Sequence, residues 1–414
     1  MSALKTQLVR ARRAANKMAL LTPAPKNAAL QKIAASLSKQ TEAIEQANQQ
    51  DLGRGERKKL GAKLDRIRFN RARILASSKE VLNVARLPDP VGRVLLKAKP
   101  LRNFSLQKVS VPLGVIAIIY ESRPNVTVDA AVLALKAGNA VLLRGSRDAQ
   151  NSNRILLKIM RAVLAKTAVP PDAVQLVDSP QRAVVGEILR ARGAIDLVIP
   201  RGGKSLIDFV VANAQVPVIE TGASVVHLFV DQEAELEQAV KIALNSKLRR
   251  TAICNALDTL VLHCKIAQLF LTKFIPAFQE RGGILHAEKR AKSLLPPGTE
   301  FRAPDFTREW LSPDLNLKVV GSLTEAIKFI QMYSLGHTDA ICSRNKITQE
   351  RFLAEVDSAC VYANLSTQFS DGAEFGLGAE IGISTQKLHA RGPFALESLV
   401  SYKWVGRGKG EVRV

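Results

Sequence analysis

Val111–Ala131 reads VPLGVIAIIYESRPNVTVDAA, and Leu135–Gly145 reads LKAGNAVLLRG. An unbroken apolar run, VIAIIY, is followed by a polar turn, then by a helical pattern over Val126–Lys136. Ala137-Gly138-Asn139 stops that helix, and Ala140–Leu143 is apolar again. Strands with no polar alternation are buried on both faces, and strand–helix–strand order predicts a parallel α/β sheet. The pattern continues with a helix over Ile155–Leu164, a strand over Ala173–Val177, a helix over Gln181–Arg190 and a strand over Ile195–Ile199. Open parallel sheets bind ligands beyond the C-terminal ends of their strands. Two such ends carry suitable residues: Arg144, Gly145 and Ser146, then Gly202, Gly203, Lys204 and Ser205 after Pro200-Arg201. Paired glycines ahead of a helix let a phosphate approach backbone amides, so both turns are candidate cofactor contacts.

The flanking chain bounds the answer. At 414 residues, 47% hydrophobic and 23% charged, it is long enough for two or three domains with their own cores. Residues up to about 87 read as helices, with Leu4, Leu8, Ala11, Ala15 and Met18 on one face. Leu87–Gly92 breaks the pattern, and two strand-like runs follow, VGRVLLKAK and RNFSLQKVSV. The net charge is +23, and residues 1–100 hold 22 Lys and Arg against 7 Asp and Glu. Such a field attracts polyanions, but the densest segment, Arg54 to Arg73, has no interleaved aromatic platform. A solvated basic face is therefore expected, and nucleic acid is not the expected partner. The longest apolar run contains Pro112 and Gly114, so no membrane span is expected, and the N-terminus has no apolar signal core. The four cysteines form no C-x-x-C pair and, with five histidines, no zinc signature. Reduced thiols in a cytoplasmic setting, without metal, are expected.

In the C-terminal half, Asn245–Asn255 reads NSKLRRTAICN. A thiolate can attack an activated acyl carbon, hold it as a thioester and release it once reduced, which makes Cys254 the candidate nucleophile. Arg249 and Arg250 precede it, suited to an anionic thiolate and to an acyl phosphate. Glu220-Thr221-Gly222 lies upstream, with Glu220 34 residues before Cys254.

These stretches, together with IPRGGKSLI at Ile199–Ile207 and EFGLGAEIGISTQKLHARGP at Glu374–Pro393, arrive in an order that resembles the aldehyde dehydrogenase superfamily. Within it they are most similar to the branch that reduces gamma-glutamyl phosphate. The resemblance implies a Rossmann-like, NADPH-binding domain over residues 1–91 and 112–221 and an α/β catalytic domain over 222–393. It also implies oligomerisation strands over 92–111 and 394–414, and hence a homo-oligomer. The implied reaction is reduction of L-glutamyl 5-phosphate to L-glutamate 5-semialdehyde in proline biosynthesis, with a glutamate kinase as possible partner.

By the same resemblance Asn125 donates to the developing oxyanion and Glu309 holds the nicotinamide ribose. Arg144 with Ser146 suits a ribose 2'-phosphate. Arg123, His337, Asn364, Ser366, Lys387, His389 and Arg391 fall to the small anionic substrate. Glu220 stands where oxidising relatives keep a water-activating base, which a reductase does not need. The chain departs from the branch at Arg249-Arg250-Thr251-Ala252, where Gln-Arg-Pro-Ser is usual. Two alternatives stay open: an oxidising aldehyde dehydrogenase that uses Glu220, and a degenerate polyanion-binding protein that uses the basic N-terminal face.

Overall fold

The structure is a computed structural model that describes residues 3–61, 63–100, 104–179, 181 and 183–413. The chain divides into two compact units: residues 1–221 with 376–382 and 394–414, and residues 222–375 with 383–393.

In the first unit, helices α1 (Ala3–Met18), α2 (Pro23–Lys39), α3 (Thr41–Arg57), α4 (Lys63–Ile67) and α5 (Arg71–Arg86) precede strands β1 (Val94–Ala98), β2 (Ser105–Pro112) and β3 (Val115–Tyr120). Then come α6 (Pro124–Lys136), β4 (Ala140–Arg144), α7 (Gln150–Leu164), β5 (Val174–Leu176), α8 (Ala183–Leu189), β6 (Leu197–Arg201) and α9 (Lys204–Asn213). The parallel sheet runs β5-β4-β3-β6, so the strand read first in the sequence lies inside it. Every residue of β3 is buried, as an apolar strand packed on both faces must be. Pro124 opens α6 at a position that needs no amide donor, and Gly138 closes it at φ +75°. Asn139 then fixes where two strands begin: its Oδ1 accepts from the Gly114 amide at 2.8 Å and its Nδ2 donates to the Leu399 carbonyl at 2.8 Å. Gly114, at φ +125°, admits no side chain, since a Cβ there would lie 2.2 Å from Asp196 Oδ2. That carboxylate accepts from the Val115 amide at 2.7 Å and pairs with Arg12 at 2.8 Å.

β2 is the middle strand of a separate antiparallel sheet, with β1 on one side and Val400–Arg407 on the other. Within the chain the third strand, part of the 394–414 segment expected to oligomerise, pairs with β2, Val400 opposite Pro112 through Arg407 opposite Ser105. Residues 101–103, between the two strands of the expected arm, lie outside the described residues.

The second unit holds β7 (His227–Val230), α10 (Leu236–Leu248), β8 (Thr259–His263), α11 (Cys264–Gln279), β9 (Ile284–Ala287), α12 (Lys289–Lys292), β10 (Asp314–Val320), α13 (Leu323–Tyr333), β11 (Thr338–Cys342), α14 (Lys346–Glu355) and β12 (Cys360–Ala363). Its six strands are parallel in the order β12-β11-β7-β8-β10-β9. Phe270, Phe274 and Phe278, four apart on α11, stack with centroids 5.4 and 5.0 Å apart in one core cluster. Phe229, Phe329 and Phe352 belong to a second cluster. α10 starts at Leu236 because Glu235 caps it, accepting from the amides of Glu237 and Gln238 at 3.1 and 2.7 Å. It runs on to Leu248, ending at the basic pair before Cys254. No helix among the described residues is long and apolar enough to cross a membrane.

Candidate functional site

In the first unit the C-terminal ends of β3, β4 and β6 carry three turns. The β6–α9 turn behaves as an anion site. Gly203 caps α9, and its amide donates to Glu121 Oε2 at 3.1 Å, so a carboxylate oxygen sits where the helix N-terminus can receive a phosphate oxygen. Lys204 is paired with Asp208 at 2.8 Å, one turn on. At the β4 end, Gly145 gives backbone access: a Cβ there would lie 2.2 Å from Asn153 Nδ2 and 3.0 Å from the Tyr120 hydroxyl. Gly145, Ser146, Arg147 and Gln150 face Leu176 and Val177 across a narrow crevice. These close backbone approaches and the anion-receiving helix end fit a dinucleotide. Arg144 is half-buried and its Nη1 donates to the Gly145 carbonyl at 3.2 Å. Ser146 accepts from the Asp148 amide at 3.0 Å and lies 3.2 Å from that carboxylate. Asp148, absent from the sequence reading, also pairs with Lys58 at 3.4 Å.

Asn125 is exposed on the first turn of α6, and its amide nitrogen donates to Asp129 at 3.0 Å. Burial and the nearby Glu80 push Asp129 up to about 7. Arg123 is exposed just before α6, and Glu220 is half-buried.

In the second unit Cys254 is half-buried on the loop between α10 and β8. That loop is tied down on several sides. Thr367 Oγ1 donates to the Asn255 carbonyl at 2.7 Å, and Asn255 Nδ2 donates to the carbonyls of Gln368 and Ser370 at 3.3 and 3.0 Å. Gln368 Nε2 donates back to the carbonyls of Ser246 and Arg250 at 2.9 and 3.3 Å. Ser224 Oγ bonds the Cys254 carbonyl and lies 3.1 Å from Glu309 Oε1, so one hydroxyl joins the thiol's backbone to the Glu309 carboxylate. Beneath, Asp258 accepts from the amides of Val226 and Trp310 at 3.1 and 3.0 Å, with the buried Lys247 ammonium 4.0 Å away. Burial pushes Asp258 up to about 6 and Lys247 down to about 8.

A cavity of about 430 Å³ opens beside this loop, lined by one face of α10 and by the Asn364–Phe369 segment. Of the sequence candidates it gathers Arg249, Asn364 and Ser366. Arg249 Nε donates to Gln368 Oε1 at 2.7 Å, and Ser366 Oγ donates to Asn245 Oδ1 at 2.7 Å. The Asn364 amide is spent on Ser343, donating to its carbonyl at 2.8 Å and accepting from its amide at 3.0 Å. Gln238, Asn245 and Gln368 also line the cavity and were not singled out in the sequence. For Gln238 and Asn245 the unused signal is the spacing of 238, 242, 245 and 249 along one helix face, while Gln368 lies on another segment and carries no such signal.

Other candidates stand elsewhere. Lys387 and Arg391 both pair with Asp357, at 2.5 and 2.8 Å, and these two cations hold its carboxyl below the usual range. The single Asp357 carboxylate offsets one of their two charges, and His389 is exposed beside them. His337 is fully buried, its Nδ1 2.8 Å from Thr338 Oγ1, in a chain of hydroxyls that continues to Ser370 and Tyr362. With no accessible surface it serves the interior, a role that residue type and spacing alone do not distinguish from substrate binding. Burial pulls it down to about 4.

The description "Aldehyde dehydrogenase family" belongs to the family model that matches residues 2–283. The gamma-glutamyl phosphate reductase of Thermobifida fusca is 48% identical over 98% of this chain and 97% of its own. That of Desulforamulus reducens is 46% identical over the whole of both chains. The crystal structure of gamma-glutamyl phosphate reductase from Thermotoga maritima superposes with a TM-score of 0.96 at 39% identity, covering 99% of this chain and 100% of that one.

The depressed His337 predicts an acid limb in stability. The unfolded chain takes up this proton at about 6.5, the folded one only at about 4, so the stability it contributes is intact above 6.5 and is lost as pH falls to 4. Urea titrations across that range should show wild type losing up to about 3 kcal/mol relative to His337→Gln; parallel pH profiles would contradict the assignment.

Proposed function

The chain belongs to the aldehyde dehydrogenase family and reduces L-glutamyl 5-phosphate to L-glutamate 5-semialdehyde and phosphate in proline biosynthesis, and we propose that it does so through Cys254. The observation that carries this reading is a half-buried thiol on a loop whose backbone is bonded on both flanks. The thiolate attacks the acyl carbon, the bond to the phosphate oxygen breaks, and phosphate leaves as a thioester forms on Cys254. A nicotinamide cofactor, when bound, would supply the hydride to that acyl carbon. Collapse of the resulting thiohemiacetal breaks the carbon–sulfur bond, expels the aldehyde and restores the thiolate. No water enters the sequence, so Glu220 has no base to provide.

The chain's own groups divide the work. Arg249 and Arg250 stabilise the anionic thiolate and the departing phosphate, and Asn125 donates to the acyl oxygen as charge builds there. Glu309, held by Ser224, takes ribose hydroxyls. The Gly202–Ser205 turn takes the pyrophosphate, as the Glu121 carboxylate on the Gly203 amide suggests. Arg144 with Ser146 takes a 2'-phosphate, which makes NADPH the cofactor, and the Lys58 pair offsets the Asp148 charge nearby.

The residue blocks 1–91 with 112–221 and 222–393 divide into cofactor-binding and catalytic domains. The three-stranded sheet around β2 forms a homo-oligomer contact, which the exposed Val94, Leu95, Leu96, Tyr402 and Trp404 support. Four free cysteines agree with a cytoplasmic setting, where a glutamate kinase would supply the acyl phosphate.

Two measurements test this reading. Purified protein should oxidise glutamate 5-semialdehyde with NADP+ only when phosphate is present, and Cys254→Ser should lower that rate at least about 10³-fold with the fold retained; phosphate-independent formation of acid would instead mark a hydrolytic dehydrogenase. Arg144→Ala should raise KM for NADPH about tenfold and leave that for NADH nearly unchanged; equal losses would remove the 2'-phosphate role.

A further inference from the structure

From Val126 to Lys136, α6 is buried at every position but one. The exception is Asp129, half-buried and the one acidic residue of that helix. Among the described residues no cation forms an ion pair with its carboxylate; its side-chain hydrogen bond goes to Asn125, one turn earlier on the same face, whose Nδ2 donates to Oδ2 at 3.0 Å. The charged groups that bear on it are Glu80 of α5, which opposes its ionisation, and Arg201 at the end of β6, which favours it. Setting an acid partly out of water with no cation bonded to it costs stability, and alanine would suit the helix better. The acid therefore calls for a reason other than packing.

Asn125 supplies one. It is exposed, and among the described residues its side chain is bonded to Asp129 alone. An exposed asparagine turns freely about its side-chain bonds, whereas an oxyanion donor works only when its N–H is already aimed. Fastening one N–H fixes the amide plane and leaves the other free to donate. We propose that Asp129 is a positioning residue for the acyl-oxygen donor: its carboxyl group anchors one N–H of Asn125 so that the second is held ready for the oxyanion. The inference rests on the role given to Asn125 above and adds the group that acts through it. Both residues stand on a helix opened by Pro124 and buried along its length, so the pair has a rigid support. Burial and Glu80 push Asp129 up to about 7, which limits the negative charge it brings near an oxyanion, and either protonation state leaves Oδ2 able to accept.

The same oxyanion forms whichever way the reaction runs, so phosphate-dependent oxidation of L-glutamate 5-semialdehyde reads the effect. Asp129→Leu, which fills the space without an acceptor, and Asp129→Ala should each lower kcat about tenfold, with KM for NADP+ held within about twofold as the sign of an intact fold. Asp129→Asn keeps an acceptor oxygen and should recover most of that loss. In an Asn125→Ala background, Asp129→Leu should cost less than about twofold more, because the group it acts through is already gone. A pair that only steadied the helix would shift the thermal midpoint and leave kcat unmoved. Unchanged kcat in both truncations, an undiminished loss on top of Asn125→Ala, or Asp129→Asn no better than Asp129→Leu would overturn the positioning role. Full activity in Asn125→Ala would instead overturn the oxyanion reading beneath it.

Discussion

The loop that carries Cys254 has no secondary structure to hold it, and it is kept in place by buried hydrogen bonds from one short segment, Ser366–Ser370. Thr367, Gln368 and Asn255 exchange bonds with backbone carbonyls on both sides of the thiol. In a dry interior each such bond is strong, and each partner left without one costs about 1–3 kcal/mol, so the arrangement resists partial loosening. Ser246 joins the same network from α10, with its hydroxyl 3.1 Å from that of Ser366. A nucleophile must be exposed enough to react and rigid enough to be aimed. Here polar bonds fix the backbone while the thiol itself remains half-buried.

The six-stranded parallel sheet makes that segment available. β12 lies at its edge beside β11, and the chain leaving β12 runs directly into Asn364–Phe369. Asn364, at φ +54°, turns the chain there, fastened by both ends of its amide to Ser343. Beneath the loop, Asp258 ties the start of β7 to the Glu309-Trp310 turn, so the Glu309 position and the thiol position share one buried anchor. The first unit handles charge by other means. Its anion-receiving group is the backbone amide of a helix N-terminus, already satisfied by Glu121, and part of its basic face is balanced locally, Arg54 on Asp51, Lys58 on Asp148 and Arg73 on Asp65.

Much of the fold was legible because its signals are local. VIAIIY has no alternation, so it had to be a doubly buried strand, and Gly138-Asn139 marks the stop between α6 and β4. The thiol, its basic neighbours and the two turns stand out as candidates for the same reason: the chemistry proposed for them is carried by adjacent residues. What the sequence withheld depends on partners distant along the chain. Lys387 and Arg391 read as free cations until Asp357 stands beside them, and His337 reads as a ligand until its burial is seen. Gln368 looks like an ordinary polar residue until its amide is found spanning Ser246 and Arg250, more than a hundred positions away.

The proposed mechanism puts covalent chemistry on one sulfur, and that can be observed directly. Mixing the protein with glutamyl 5-phosphate in the absence of reductant, quenching in acid and mapping peptides by mass spectrometry should find a hydroxylamine-labile glutamyl adduct on Cys254, with phosphate released in equal amount. Phosphate release without an adduct, or an adduct on the other half-buried thiol, Cys264, would contradict the account.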